Sequence, residues 1–348
     1  MDQRIGRPRI ADVARAAGVS KTAVSFAFNN PDRLAPDTAD RIRLVAAELG
    51  YRPHPVARML SQRETLTIGL LTPQALSVIF SNPFFGAFSE GVAVAAEASG
   101  YALYFISPLH GSLAGAMSRA TVDGVVAIGL GDDHPEVEQI RRGGVPIVVV
   151  DSSTLAGHGS IEIDDAGGAW AAAEHVIRLG HRNVLIIGVE PPAPAGTSDP
   201  GGVMARRLAG YRTAFAAVGV DVTDEQVVVG PASIEGGMAA LDRALASGAA
   251  PTAILAMSDA MAIGAMRALR DRGLAVPDAV SVVGFDDIDL AQHVDPPLTT
   301  VHQPIRRKGE EAVRILLEAV RGGGAEPQHV TLATRLVVRG STGPAPRR

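Results

Sequence analysis

Lys21, Thr22, Ser25, Phe26 and Asn29 lie in the stretch VSKTAVSFAFNN, residues 19–30. These residue types suit the reading of DNA bases. Lysine donates to guanine O6 and N7, threonine bonds bases or phosphates, and an apolar ring packs on a thymine methyl. Arg7, Arg9, Arg33 and Arg52 are candidate phosphate contacts, which position a protein without reading sequence, and Arg58 is a further candidate DNA contact. A second group suits a different ligand. Asp151 ends PIVVVD, Asp286 closes VSVVGFD, Ser258 and Asp259 follow AILAM, and Arg207 heads RLAGYRTAF. Carboxylates and an arginine offer paired hydrogen bonds to the neighbouring hydroxyls of a polyhydroxylated molecule. Phe84 and Phe85, in SNPFFGAF, add a ring that could stack on such a ligand. In the plainer alternative the aspartates cap the helices that follow them and the rings pack in a core. Asp259 and Asp287 fit capping better, Arg207 and Asp286 the ligand.

The first group needs a helix to present it. Apolar residues recur at Ile10, Val13, Ala14 and Ala17, along one helix face. Gly18 can then adopt the positive φ that ends a helix cheaply. Ser20 is a good N-cap for a second helix, which turns Val24 and Phe28 inward and Lys21, Thr22 and Phe26 outward. Two short helices joined by a glycine turn make a helix-turn-helix, whose second helix enters the major groove. A third helix is predicted over residues 36–49, with Ile42, Val45, Ala46 and Leu49 inward. Charge agrees, because residues 1–63 carry +5 and the remainder −10. A basic head on an acidic body suits a polyanionic partner. A three-helix bundle that only packs, with arginines clustered by chance, is the alternative.

LGYRPHPVARMLSQRE follows, residues 49–64, where Pro53 and Pro55 break the preceding helix. Residues 56–62 allow one or two turns, too few to be stable alone in water. Leu60 is then either a wedge for the minor groove or part of a flexible linker.

The second group needs strand ends. TIGLLTP, YALYFIS, GVVAIG and PIVVVD read as buried strands, with PFFGAFSEGVAVAAEASG and PEVEQIRRGG as helices between them. NVLIIG, VVVG, AILAMS and VSVVGFDD form a second series. Such runs linked by helices imply parallel sheets covered on both faces, here two doubly wound lobes. Ligands of these sheets bind beyond the carboxyl ends of the strands, where Asp151, Ser258 and Asp286 stand.

Other chemistry finds little support. The chain has no cysteine, which excludes disulfides, cysteine nucleophiles and cysteine-based zinc sites. It has no GxxxxGK[ST] loop, and its nine histidines form no HExxH pair. We expect no enzyme, no metal and no cofactor. His181, in LGHRNVLIIG, reads as a structural hydrogen-bonding residue. No apolar run reaches the roughly 18 residues needed to span a bilayer, and MDQRIGRPRI lacks an apolar signal region. The expectation is a cytoplasmic protein with no membrane partner.

RPRIADVARAAGVSKTAVSFAFNNPDRLAPDTADRIRLVAAELGYRPHPVARML resembles the head and hinge of the LacI family of bacterial transcription regulators, and the resemblance continues over nearly the whole chain. It implies a small all-α helix-turn-helix head on an α/β core of two doubly wound parallel-sheet lobes, periplasmic-binding-protein-like, that clasp an effector. The head would span 1–53, the hinge 54–65 and the core 66–342. Crossings between lobes are expected near residues 161, 290 and 318–325, giving a first lobe of 66–161 plus 291–320 and a second of 162–290 plus 321–342. The implied function is a repressor, a homodimer on operator DNA, controlled by a sugar or sugar-like effector. The hinges of two subunits would pair over the operator, with Leu60 in the minor groove. Phe26 departs from the arginine common at its position. Arg9 and Ala35 stand where a hydroxyl N-cap is usual. Ala232, in GPASIEGGM, stands where an aromatic often stacks on the effector. The loop PPAPAGTSDPGG, residues 191–202, is either a flap near the cleft mouth or surface filler. A solute-binding protein and a sugar-modifying enzyme are the other classes. The basic head weighs against the first, and the lack of an acid/base or nucleophile constellation against the second.

Overall fold

The computed structural model describes residues 8–51, 64–131, 134–152, 157–190, 202–322 and 326–347. The chain forms two compact units, Met1–Thr65 and Leu66–Arg348.

The first unit holds α1 (Ile10–Ala17), α2 (Lys21–Asn29) and α3 (Pro36–Glu48). Val13, Val24, Ala27 and Ile42 are fully buried at its centre, with Ala14 and Ala46 beside them. Gly18 closes α1 at φ 66°. The Arg43 Nε donates to the Ala27 carbonyl at 3.2 Å and ties α3 to α2. Leu49, expected inward, is 41% exposed, because α3 ends at Glu48 and Leu49 is already its cap. Neither Arg9 nor Ala35 makes a side-chain cap. Asp12 compensates at α1 by accepting from the Arg9 backbone N–H at 2.9 Å. Pro36 opens α3, where its missing N–H costs nothing.

The second unit begins with β1 (Thr67–Leu71), α4 (Leu76–Ile79), α5 (Pro83–Ala98), β2 (Ala102–Ile106), α6 (Leu113–Met117), β3 (Gly124–Ile128), α7 (Val137–Arg142), β4 (Ile147–Val150) and β5 (Gly159–Ile163). It continues with α8 (Asp165–Arg178), β6 (Val184–Val189), α9 (Val203–Ala216), β7 (Val227–Gly230), α10 (Ile234–Ala246), β8 (Ala253–Ala256), α11 (Asp259–Asp271) and β9 (Ser281–Asp286). Then come β10 (Thr299–His302), α12 (Ile305–Val320), β11 (His329–Leu332) and β12 (Arg335–Val337). One sheet runs β11-β5-β4-β3-β1-β2, the other β12-β10-β9-β8-β6-β7. Every pairing is parallel except that of β12 with β10.

Sheet membership moves two expected lobe boundaries. β10 pairs with β9, so the chain stays in the second lobe to His302 instead of leaving it near residue 290. β11 pairs with β5, so the last crossing follows Leu332 and not residues 318–325. Both strands, TTVH and HVTL, are too polar to read as core strands. Thr299 and Thr300 are nevertheless fully buried, because their hydroxyls are bonded: Thr299 accepts from the Arg339 N–H at 2.9 Å and Thr300 donates to Asp259. Two apolar runs erred the other way. β2 and β7 are outer strands, and Tyr104 and Val229 are exposed on them.

Two close helix approaches place the polar groups described next. A Cβ on Gly91 of α5 would lie 2.0 Å from the Arg306 carbonyl oxygen, so α12 packs backbone to backbone on α5. A Cβ on Gly210 of α9 would lie 2.3 Å from the Ala166 carbonyl, which brings α9 equally close to α8.

Candidate functional site

On α2 the Ser20 hydroxyl accepts from the Ala23 N–H at 3.1 Å and fixes the helix start. The face bearing Val24 and Ala27 is buried, while Lys21 and Thr22 are exposed on the first turn. Ser25, Phe26 and Asn29 are half-buried along the same helix. The Asn29 Nδ2 donates to Ser25 at 3.2 Å. The Arg33 guanidinium lies 5.5 Å from the centre of the Phe26 ring, a cation–π contact. Arg9 is exposed at the start of α1. Arg7, Arg52, Arg58 and Leu60 lie outside the described residues, as does most of the 191–202 loop.

In the second unit, strand ends from both sheets meet in one buried polar chain. The Lys308 Nζ donates to both oxygens of Asp151, at 2.8 and 2.7 Å, and to the Gln303 Oε1 at 2.6 Å. The Gln303 Nε2 donates to the Asp286 Oδ1 at 2.6 Å. Arg207, also in the field of Asp286, donates from Nε to the Asp165 Oδ1 at 2.7 Å and from Nη1 to the Met257 carbonyl. Its guanidinium stacks 3.5 Å from the centre of the Phe285 ring. Arg206 holds the other oxygen of Asp165 at 2.7 Å. The Phe84 ring lies 5.3 Å from the Lys308 Nζ, and Phe85 meets Phe84 edge-on. A surface groove of about 560 Å³ reaches Gln303 from between Pro83, Ala87 and Arg306.

Burial pushes the Asp286 carboxyl above the ordinary range; Arg207 opposes this and Asp259 adds to it. Burial likewise raises Asp259, against the bonds from Thr300 and the Ile288 N–H. Burial also penalises the charge on Arg207, but Asp165 and Asp286 outweigh it and raise its pKa. The result is an array of alternating donors and acceptors, suited to exchanging bonds with hydroxyls. Among the described residues no group of His, Asp or Glu could hold a metal ion, and no helix is long and apolar enough to cross a membrane.

Several expected roles change. Asp151 is the partner of a lysine, so its oxygens are already engaged. Ser258 is the N-cap of α11, accepting from the Met261 N–H at 3.2 Å. Asp259, expected as a cap, instead accepts from Thr300 and the Ile288 N–H. Asp287, also expected as a cap, pairs with His302 and Arg339. Ala232 follows the outer strand β7 and packs against the core. His181 is fully buried between the Thr252 hydroxyl and the Gly343 carbonyl, each at 3.0 Å, a structural role as expected. Asp165, Arg206, Gln303 and Lys308 are the residues that sequence reasoning missed. Lys308 had a signal, since it sits three after Ile305 and four before Ala312 on the apolar stripe of α12. Asp165 had a fainter one, as the second of two aspartates of which the first, Asp164, caps α8.

The sequence profile of bacterial regulatory proteins of the lacI family matches residues 9–54, and that of the periplasmic binding protein-like domain matches residues 173–342. The transcriptional regulator CelR of Thermobifida fusca is 33% identical over 97% of this chain and 99% of its own length. A solved CelR–cellobiose complex superposes with TM-score 0.72 at 31% identity, covering 96% of this chain and all of that one. The lac repressor dimer bound to operator and the anti-inducer ONPF superposes with TM-score 0.81 at 26% identity, covering 97% and 99%. The head, the two-lobed core and these full-length similarities agree: the chain belongs to the LacI family of transcription regulators, which are not enzymes.

Proposed function

We propose that the chain is a sequence-specific repressor, acting as a homodimer on a pseudo-palindromic operator and controlled by a sugar or sugar-like effector. The observation that carries the reading is the division within α2. One face is core, and the first turn of the other presents Lys21 and Thr22 to solvent, where a major groove would meet them. Ser25, Phe26 and Asn29 extend that face, Arg9 and Arg52 meet phosphates, and Arg58 and Leu60 belong to the hinge contact. The effector sits between the lobes against Arg207, Asp286 and their neighbours, with Phe84 or Phe85 as the stacking ring. The cellobiose in the CelR complex and the dimer in the lac repressor complex support this assignment. The effector shifts operator affinity only as far as it binds the open and closed lobes unequally. A gel shift on promoter fragments, with and without cellobiose, ribose and glucose, tests the reading. Binding should weaken steeply with salt, and one sugar should change it. A protein with no salt-sensitive preference for any fragment overturns the reading.

A further inference from the structure

No part of the Lys308 side chain reaches solvent. An ammonium taken into a core is costly unless it is paired and hydrogen-bonded. Its three protons match three acceptors, the two Asp151 oxygens and the Gln303 Oε1. All but two of the chain's 32 basic residues are arginine. A planar guanidinium would not meet three acceptors gathered around one point, whereas a compact ammonium does. The consequence reaches Gln303. A side-chain amide can present either end, and the bond to Lys308 commits the oxygen. The NH2 therefore faces Asp286 and fixes which carboxylate oxygen accepts it.

We propose that Lys308 is a positioning residue of the effector site. It holds Asp151 in the first lobe and, through the Gln303 amide at the crossing, orients the Asp286 carboxylate of the second lobe toward the effector's hydroxyls. Lys308 itself need not touch the effector. This inference rests on the assignment of the effector to the inter-lobe cluster.

Three full-length proteins test it: wild type, Lys308→Met, and the double variant Asp151→Asn/Lys308→Met, in which no charge is stranded. Calorimetry with cellobiose, ribose and glucose gives affinities, and thermal melting gives stability. The sugar that binds wild type should bind Lys308→Met about ten-fold or more weakly. The double variant should recover the melting temperature but not the affinity, because the Gln303 amide is no longer held. Recovery of both would make Lys308 a structural ion pair and overturn the proposal, leaving the effector assignment standing. Binding of none of the three sugars by wild type overturns the sugar reading and the proposal with it. A variant-free measurement uses ¹⁵N-lysine-labelled wild type, which has two side-chain ammonium signals. The bound sugar should move that of Lys308 and leave that of Lys21 in place. An unmoved Lys308 signal overturns the proposal.

Discussion

The chain's two lysines occupy opposite surroundings, and the contrast separates its two candidate functional regions. Lys21 is exposed on the first turn of α2. Lys308 is sealed in the core with every proton bonded. On the head, the proposed contacts are groups that the fold leaves in water, so a partner can take their bonds without disturbing the helix. Between the lobes the polar groups already satisfy one another, and a ligand must exchange bonds as it enters. Removing an exposed charge therefore alters binding, whereas removing a buried one alters the fold first.

The largest effect expected follows from that asymmetry. Lys308→Met strands the Asp151 carboxylate and should cost about 3–5 kcal/mol of core stability. Denaturation followed by Trp170, the chain's single tryptophan, on α8, reports it. Next in size is Lys21→Met. It should change stability by no more than about 0.5 kcal/mol yet lower operator affinity by about 1–3 kcal/mol in a gel shift. Equal stability losses in the two variants would break the comparison.

The same asymmetry decides what was legible in the sequence. The α2 face could be read because its apolar and polar residues separate by helical spacing, and no long-range contact is needed to define it. The sheets were legible wherever strands were continuous Val/Ile/Leu runs. They failed at β10, where buried threonines take their bonds from distant residues such as Asp259 and Arg339, and at β11, which is largely exposed with only Leu332 buried. The site was half legible for a similar reason. Arg207 and Asp286 stand at positions that topology marks. Lys308 and Gln303 act through partners 157 and 17 residues away in sequence, separations that no local pattern reveals.

A smaller, pH-dependent difference sharpens the comparison. Burial lowers the pKa of His181, and burial, Arg178 and His181 lower that of His175. Both lie in the core, whereas residues 8–51 contain no histidine. A depressed histidine favours the folded state while it is neutral. Its contribution is present above the unfolded value of about 6.5 and is lost as pH falls toward the lower folded value. Asp286 and Asp259, whose raised pKa values favour the fold as pH falls, pull the other way. The histidine effect is therefore read as a difference: below about pH 6.5 the wild-type Trp170 transition should fall relative to that of His175→Gln/His181→Gln, while the amide signals of α2 melt unchanged over that range. Parallel losses would mean that the two histidines are not the cause.

The smallest effect expected is a gain, and it belongs to the head. Ala35 precedes α3 in extended geometry, φ −60° and ψ 138°, with no side-chain cap. A serine there can accept from an N–H of the first turn, a bond worth about 1 kcal/mol at such positions. At α1 the Asp12 carboxylate already holds the Arg9 N–H, and a serine at position 9 would add the reciprocal bond to the first turn. Ala35→Ser should thus raise the melting point of the head about as much as Arg9→Ser. It should also leave operator affinity intact, since Ala35 lies outside the Lys21–Thr22 face, whereas Arg9→Ser removes a proposed phosphate contact. If Ala35→Ser weakens operator binding, the start of α3 is part of the DNA surface, and the line drawn between exposed binding groups and structural ones on the head is in the wrong place.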